Sequence, residues 1–313
     1  MLLDQIRQEV FTLPEVRGWP EIQSLLDRAL QRRSAGSEYV FAGSLAVGGT
    51  EEQALPGALA IRWMHLSIVL VDDMLDQDTK GEYLTLGPAK TANLALALQA
   101  LSHRVMETSD IDTERRLALH RHLDSIALRT AFGQSLGEGA VSNEETYWQA
   151  VEAKSTPLPS SAIYLGALLG GSSFQIAEKM AEYGALLGKA VQINDDIADA
   201  LQTPAAPDWK RQYNNLAILF ALTVPYDQRA AFVELLPHTD EPNSLQKAQE
   251  ILVECGALSY CAFKLLEVSK SARQLTQTIP LPNPMPLQAL LDKEIEPIRQ
   301  IFLSLNLPIP EGL

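Results

Sequence analysis

The chain is short of several things, and each shortage removes a class of protein. Among 313 residues there are two cysteines, Cys255 and Cys261, with no matching histidine pair. A disulfide scaffold and a zinc site are therefore not expected, and the usage fits a reducing compartment, so the sequence predicts a cytoplasmic protein. Basic side chains are outnumbered, 25 Lys+Arg against 39 Asp+Glu, for a net charge of −14. Nucleic acid and anionic membranes attract a basic surplus, so neither is an expected partner. The N-terminus is mixed and charged, and apolar runs such as 68–71 and 216–224 are too short to cross a bilayer. Neither a signal peptide nor an integral membrane segment is expected. A glycine-rich phosphate loop, a dinucleotide fingerprint and alternating strand patterns are all missing.

What remains is helical. With 46% hydrophobic and 20% charged residues the chain can bury a sizeable core. Residues 58–76 are apolar nearly all round over about five turns, the pattern of a helix in the middle of a bundle. Helical segments are also predicted at 92–105, 115–136, 144–153, 161–169, 174–201, 215–223, 227–235, 244–269 and 286–303. Breakers separate them at Gly48-Gly49, Gly170-Gly171, 204–207 and 280–286, and Pro56-Gly57 reads as the entry to the long apolar helix. Too few residues follow the proline-rich 280–286 stretch to form a core of their own, so one all-α domain over 1–313 is expected.

A chemical near-repeat carries the functional argument. Asp72-Asp73-Met74-Leu75-Asp76 closes the apolar 58–76 helix, and Asp195-Asp196-Ile197-Ala198-Asp199 follows the helical stretch before it. In each box the first and last aspartates are four residues apart, on one face of a helix and one turn from each other. Crowded carboxylates repel and are costly to desolvate, and a multivalent cation relieves both penalties. All-oxygen ligands select hard ions, Mg2+ above all where a substrate phosphate completes the shell. A lone box reads as a solvated helix end. Two boxes on facing helices make an acidic clamp for a metal-bound diphosphate.

The pattern resembles the trans-isoprenyl diphosphate synthases among class I terpenoid enzymes. His65 stands seven residues before Asp72, Gly133-Gln134 precedes Thr146-Tyr147 and Lys154-Ser155-Thr156, and Tyr183-Gly184 leads through Leu187-Gly188-Lys189 to Gln192-Ile193-Asn194 before the second box. Each follows a motif of that family, with Ser155 in place of its threonine. The resemblance implies a helical bundle around a deep central cavity, an allylic prenyl diphosphate as substrate, three Mg2+ ions and a homodimer. It implies Asp72, Asp76 and Asp195 as direct metal ligands, and Asp73, Asp196 and Asp199 as ligands or acceptors for metal-bound water. Lys154 would pair with diphosphate oxygens, and Gln134 and Gln192 would lie near the reacting carbon. The plainer alternatives are surface charge for Lys154 and helix–helix hydrogen bonds for the glutamines. Ser67, five residues before Asp72, would floor the cavity and leave depth for a C15 or C20 tail.

The departures from the family concern the second substrate. Chain-elongating relatives hold isopentenyl diphosphate with three basic elements. Here the first falls on Arg32-Arg33-Ser34-Ala35-Gly36, the second is Asp78-Thr79-Lys80-Gly81, and the third has Tyr213 where a lysine stands. Charge-assisted bonds contribute roughly 1.5–3 kcal/mol each, so losing two or three weakens binding by orders of magnitude. Lys80, Arg32, Arg33, Lys210 and Arg211 are the cations left to compensate. Three functions stay open: transfer of the prenyl cation to another acceptor, a terpene synthase, and a non-catalytic subunit. The Asn214-Asn215-Leu216-Ala217 stretch is similar to that of divergent relatives that prenylate a peptide side chain. Aromatics at 6% count against a cation-lining cyclase pocket. His103, His120, His122 and His238 show no metal spacing.

Overall fold

The computed structural model describes residues 2–31, 35–78, 80–135, 141–211 and 214–306. Among them there is no strand, and seventeen α-helices follow one another. They are α1 (Leu2–Phe11), α2 (Pro14–Arg17), α3 (Pro20–Gln31), α4 (Ala35–Ala46), α5 (Glu51–Asp76), α6 (Tyr83–Leu86), α7 (Pro88–Val105) and α8 (Thr113–Ser135). After these come α9 (Glu144–Lys154), α10 (Pro157–Leu169), α11 (Phe174–Leu201), α12 (Asp208–Arg211) and α13 (Leu216–Thr223). The last four are α14 (Arg229–Leu235), α15 (Pro242–Glu254), α16 (Ala257–Thr278) and α17 (Met285–Ser304).

The apolar helix starts a full turn and more before the Pro56-Gly57 pair. Thr50 caps it, its hydroxyl accepting from the Gln53 N–H at 3.2 Å while Gln53 Oε1 accepts from the Thr50 N–H at 2.9 Å. That reciprocal cap satisfies two otherwise orphaned donors and outweighs the proline as a start signal. Pro56 therefore lies inside α5. The expected 244–269 helix is two helices, because Gly256 (φ 85°) takes a left-handed conformation between α15 and α16. Helix α4 carried no periodic signal, since both its faces are buried among small residues.

Helix α10 is the centre of the packing. Every residue from Pro159 to Leu169 except Ser160 is buried, and the helix lies against α4, α5, α8 and α11. Helices α5 and α11, which carry the two boxes, thus flank the same central helix. Helix α5 is long and apolar enough to cross a membrane by length and composition, but most of that window is buried within the bundle. Both cysteines are free, Cys261 buried and Cys255 partly so.

Candidate active site

Each box sits at the C-terminal end of a long helix. Asp72, Asp73 and Asp76 fall in the last two turns of α5, which closes on Gln77 in a left-handed cap. Asp195, Asp196 and Asp199 fall in the last two turns of α11. The negative end of a helix dipole is the wrong place for carboxylates, so both ends call for cations. The carboxyl pKa shifts run the same way. Burial, then Asp78, Asp72, Asp76 and Glu82, hold Asp73 above the usual carboxylate range. Burial, then Asp199, Glu294 and Asp208, push Asp195 up to about 6, and burial followed by Asp208 does the same to Asp199.

The loop between α9 and α10 joins the two boxes. Lys154 Nζ lies 3.1 Å from Asp72 Oδ1, and the next residue, Ser155, donates its hydroxyl to Gln192 Oε1 at 2.5 Å. Gln192 Nε2 in turn donates to Asp196 Oδ1 at 2.7 Å. Consecutive residues of one chain segment therefore reach one box each. Gln134 completes the first, its Nε2 3.4 Å from Asp76 Oδ1. Two glycines of the family-like motifs allow this approach. A Cβ on Gly133 would stand 2.9 Å from the Lys154 nitrogen, and one on Gly188 would stand 3.0 Å from the Thr156 Cα.

His65 and Asp195 are open to solvent although protein surrounds them closely enough for burial to lower the first pKa and raise the second. Side chains on the wall of a recess behave this way. On α5 the accessible stripe runs through His65, Val69, Asp72 and Asp76, one helical face.

Two sequence expectations need correction. Ser67 has no exposed surface, and its hydroxyl donates to the Met64 carbonyl at 2.7 Å, one turn back in α5. It faces helix packing and does not floor a cavity; Ile68 and Val69 are the accessible residues one turn above the box. Asp196 is likewise fully buried, and its carboxylate accepts from Tyr147 OH (2.6 Å), Gln192 Nε2 (2.7 Å) and the Leu216 N–H (2.6 Å). With its oxygens engaged it anchors helices and is not open to a metal ion. Both ends of the Gln192 amide are also used within the protein. Lys80 lies exposed in the segment after the first box, its backbone N–H donating to Asp78 Oδ1 at 2.7 Å.

Of the cations expected to compensate at the second substrate site, Lys80 is exposed, and the others are paired or outside the described residues. Lys210 pairs with Asp240 at 3.3 Å. Arg32, Arg33, Ser34, Thr79 and Tyr213 lie outside the described residues, as does the side chain of Arg211. Gly36, at the end of the first element, is buried, and a Cβ there would meet Ile61 Cγ2 at 2.9 Å. A larger side chain at that position requires the Ile61 side chain of α5 to shift.

Glu294 and Asn215 also support the site. Glu294 of α17 accepts from Asn194 Nδ2 at 2.8 Å and raises Asp195, from almost a hundred residues away. Asn215 donates to the Asp196 carbonyl at 2.7 Å and to Asp208 Oδ2 at 3.0 Å, while its Oδ1 caps α13 through the Ala217 and Ile218 N–H groups. The cap preference of asparagine was the available signal.

Among the described residues no three His, Cys, Asp or Glu side chains converge into a closed metal cage. The donor set is instead two open pairs of carboxylates, Asp72 with Asp76 and Asp195 with Asp199. That suits a hard ion whose remaining ligands come from water and substrate phosphate. Mg2+ held there would stabilise the negative charge of a departing diphosphate.

An all-α bundle with paired acidic boxes at the ends of two helices flanking a shared third defines an isoprenoid synthase fold. The polyprenyl synthetase family model matches residues 36–253, and the chain belongs to that family. It is 25% identical to a geranylfarnesyl diphosphate synthase of Aeropyrum pernix over 75% of this chain and 79% of that one. A geranylgeranyl diphosphate synthase of Methanosarcina mazei is 28% identical, but the match spans about half of each chain. Among solved structures, the geranylgeranyl pyrophosphate synthetase from Pyrococcus horikoshii superposes with a TM-score of 0.79 at 18% identity, covering 94% of this chain and 95% of that one.

Proposed function

We propose that the chain, as one catalytic domain, ionises an allylic trans-prenyl diphosphate with Mg2+ and transfers the prenyl cation to an acceptor other than isopentenyl diphosphate. The observation that carries this reading is the Lys154-Ser155 segment, which touches the first box through Lys154 and reaches the second through Ser155 and Gln192. Asp72 and Asp76 on one side, and Asp195 and Asp199 on the other, would hold the ions. Lys154, 3.1 Å from Asp72, is placed to share its charge with a diphosphate oxygen arriving there. Gln134 orients Asp76 through its amide. The recess beyond His65, Ile68 and Val69 would take the tail, excluding water from the cation. The names of relatives, geranylgeranyl, geranylfarnesyl and farnesyl diphosphate synthases, support a prenyl diphosphate substrate, and its C15 or C20 length is part of the proposal.

The case against isopentenyl diphosphate as acceptor rests on the missing basic elements, with the buried Gly36 where the first would end. The homodimer is part of the same proposal. Leu128 and Phe132 leave apolar surface exposed on α8, and light scattering on the purified protein tests their burial between two copies.

The deciding assay supplies farnesyl or geranylgeranyl diphosphate with Mg2+, alone and with candidate acceptors, and measures pyrophosphate release. Release that requires an acceptor other than isopentenyl diphosphate supports the proposal. Efficient elongation with isopentenyl diphosphate overturns the acceptor assignment, and a hydrocarbon or alcohol from the allylic substrate alone makes the enzyme a terpene synthase. No turnover with any combination removes the catalytic reading.

A further inference from the structure

The mechanism above leaves the buried carboxylate of Asp196 without a chemical task, yet it is among the most heavily bonded side chains in the molecule. On α11 it points about 100° away from Asp195, whereas Asp199 stays within about 40° of Asp195. A small rotation of the helix would exchange which carboxylates face the recess. Three bonds from outside the helix oppose that rotation, and a fourth within it fixes the carboxylate. Tyr147, in the first turn of α9, donates to Oδ2 at 2.6 Å. The Leu216 N–H at the start of α13 donates to the same oxygen at 2.6 Å. Asn215 holds the Asp196 backbone carbonyl at 2.7 Å, and Gln192, one turn earlier on the same face of α11, holds Oδ1 at 2.7 Å.

Gln192 is itself held by Ser155 at the other end of α9. Helix α9 is thus tied to one turn of α11 at both ends, at Tyr147 directly and at Ser155 through Gln192. A third tie between them is the Lys189–Glu152 ion pair at 2.6 Å. Lys154 is the last residue of α9, so its place 3.1 Å from Asp72 is fixed by contacts to the opposite box.

We propose that Tyr147 and Asn215 are positioning residues that act through Asp196 to hold the second box in register with Lys154 and the first box. The inference rests on the reading of the boxes as a metal–diphosphate clamp. Tyr147 and Asn215 touch neither the ions nor the substrate. They set which face of α11 is offered to them, and they do so from a fully buried network in which each bond is screened from water. Ser155 is the outer end of the same network, where it is partly accessible.

The test is calorimetric titration of inorganic pyrophosphate into the full chain at several Mg2+ concentrations, with thermal melting alongside. Tyr147→Phe removes one hydroxyl. Asn215→Ser keeps an acceptor for the α13 cap and loses the donors to Asp196 and Asp208. Both variants are expected to bind pyrophosphate about tenfold more weakly and to need several times more Mg2+ for half-saturation, the loss of about one charge-assisted bond. Ser155→Ala, which strands no buried donor and so keeps the fold, is expected to lose about threefold, while Ser155→Thr matches the wild type. A role in folding alone would lower the melting temperature and leave the Mg2+ requirement unchanged. Pyrophosphate affinity and Mg2+ half-saturation within twofold of wild type in the folded variants would overturn the inference. Failure of the wild type itself to bind Mg2+ with pyrophosphate would sink the clamp, and this inference with it.

Discussion

The first box keeps its three carboxylates partly open to solvent, contacted by one lysine and one glutamine, whereas the second hides its middle carboxylate under three donors and a fourth bond to its backbone. Five-residue strings of nearly the same composition therefore do different work. In the first, the carboxylates stay partly open to solvent around one ion pair and one long hydrogen bond, and acidic neighbours still push Asp73 up. In the second, one aspartate of three has been drawn into the scaffold, which fixes the other two. An anchored second box would give the proposed clamp one rigid side, and Lys154, the last residue of α9, belongs structurally to that side although it touches the other. Substitutions should separate the two boxes by what they damage.

The largest effect is expected at the first box. Asp72→Ala removes a candidate ligand and the partner of Lys154 without uncovering any buried donor. Turnover of a prenyl diphosphate should fall about 10²–10³-fold, the usual loss when one electrostatic contact to a developing anion goes. The melting temperature should stay within a degree or two, because exposed ion pairs contribute little to stability. Loss of stability equal to the loss of activity would show that the first box is a scaffold as well, and the contrast between the boxes would disappear.

Asp196→Ala should do the reverse. It strands the Tyr147 hydroxyl, the Leu216 N–H and the Gln192 amide in a buried site, and each unsatisfied group costs about 1–3 kcal/mol. Some relaxation is certain, so a destabilisation of about 3 kcal/mol is expected by denaturant unfolding. An unchanged unfolding midpoint would mean that Asp196 is not the anchor its contacts describe.

Much of this was legible in the residues. The spacing of Asp72 and Asp76, the apolar run before them and the glycines at 133 and 188 are local patterns, and a local pattern survives into the fold. Helix 174–201 was bounded in the sequence where it lies in the structure, since Ser173 caps it and its apolar stripe is unbroken. What stayed hidden depended on direction and distance. Ser67 and Ile68 are adjacent, and only the packing of α5 decides which one meets the recess. Asp196 differs from Asp195 by one step around a helix, and nothing in the string Asp-Asp-Ile-Ala-Asp says which is turned inward. Glu294 reaches the second box from α17, a contact no window of sequence contains. Composition likewise could not show that Gly36 is closed in by Ile61: the sequence carries the missing charge behind the proposed acceptor choice, and only the fold carries the packing there.

A pH dependence separates scaffold from boxes. His122 stacks on Tyr164 with ring centroids 3.6 Å apart, and its Nδ1 lies 3.3 Å from Ser161 Oγ on the central helix α10. Burial lowers its pKa from 6.5 to about 4. A base with a lowered folded pKa binds fewer protons folded than unfolded between those values, so stability rises with pH across that window. The contribution is whole above pH 6.5 and is lost as pH falls toward 4; it amounts to about 2–3 kcal/mol after allowing for partial exposure of the ring. The difference in unfolding free energy between wild type and His122→Gln should follow this curve from pH 7 to pH 4. A flat difference would place the acid sensitivity of the fold elsewhere, at the boxes themselves.

The smallest effect tests how much the first box depends on its neighbours. Gln134 reaches Asp76 at 3.4 Å from the last turn of α8, a long hydrogen bond to a partly exposed carboxylate. Such a bond contributes about 0.5–1 kcal/mol, so Gln134→Leu should raise the Mg2+ needed for half-maximal pyrophosphate binding by about two- to fivefold. Gln134→Asn keeps the amide but shortens it by one methylene and should fall in the same range, since it no longer spans the gap. The second box should not respond to either change, because Asp196 is held from α9 and α13 and neither contact involves α8. An equal loss on mutating Gln192, whose amide is locked between Ser155 and Asp196, would mean both boxes are supported alike; a larger loss there would confirm that the rigid side of the clamp is the one that sets metal affinity.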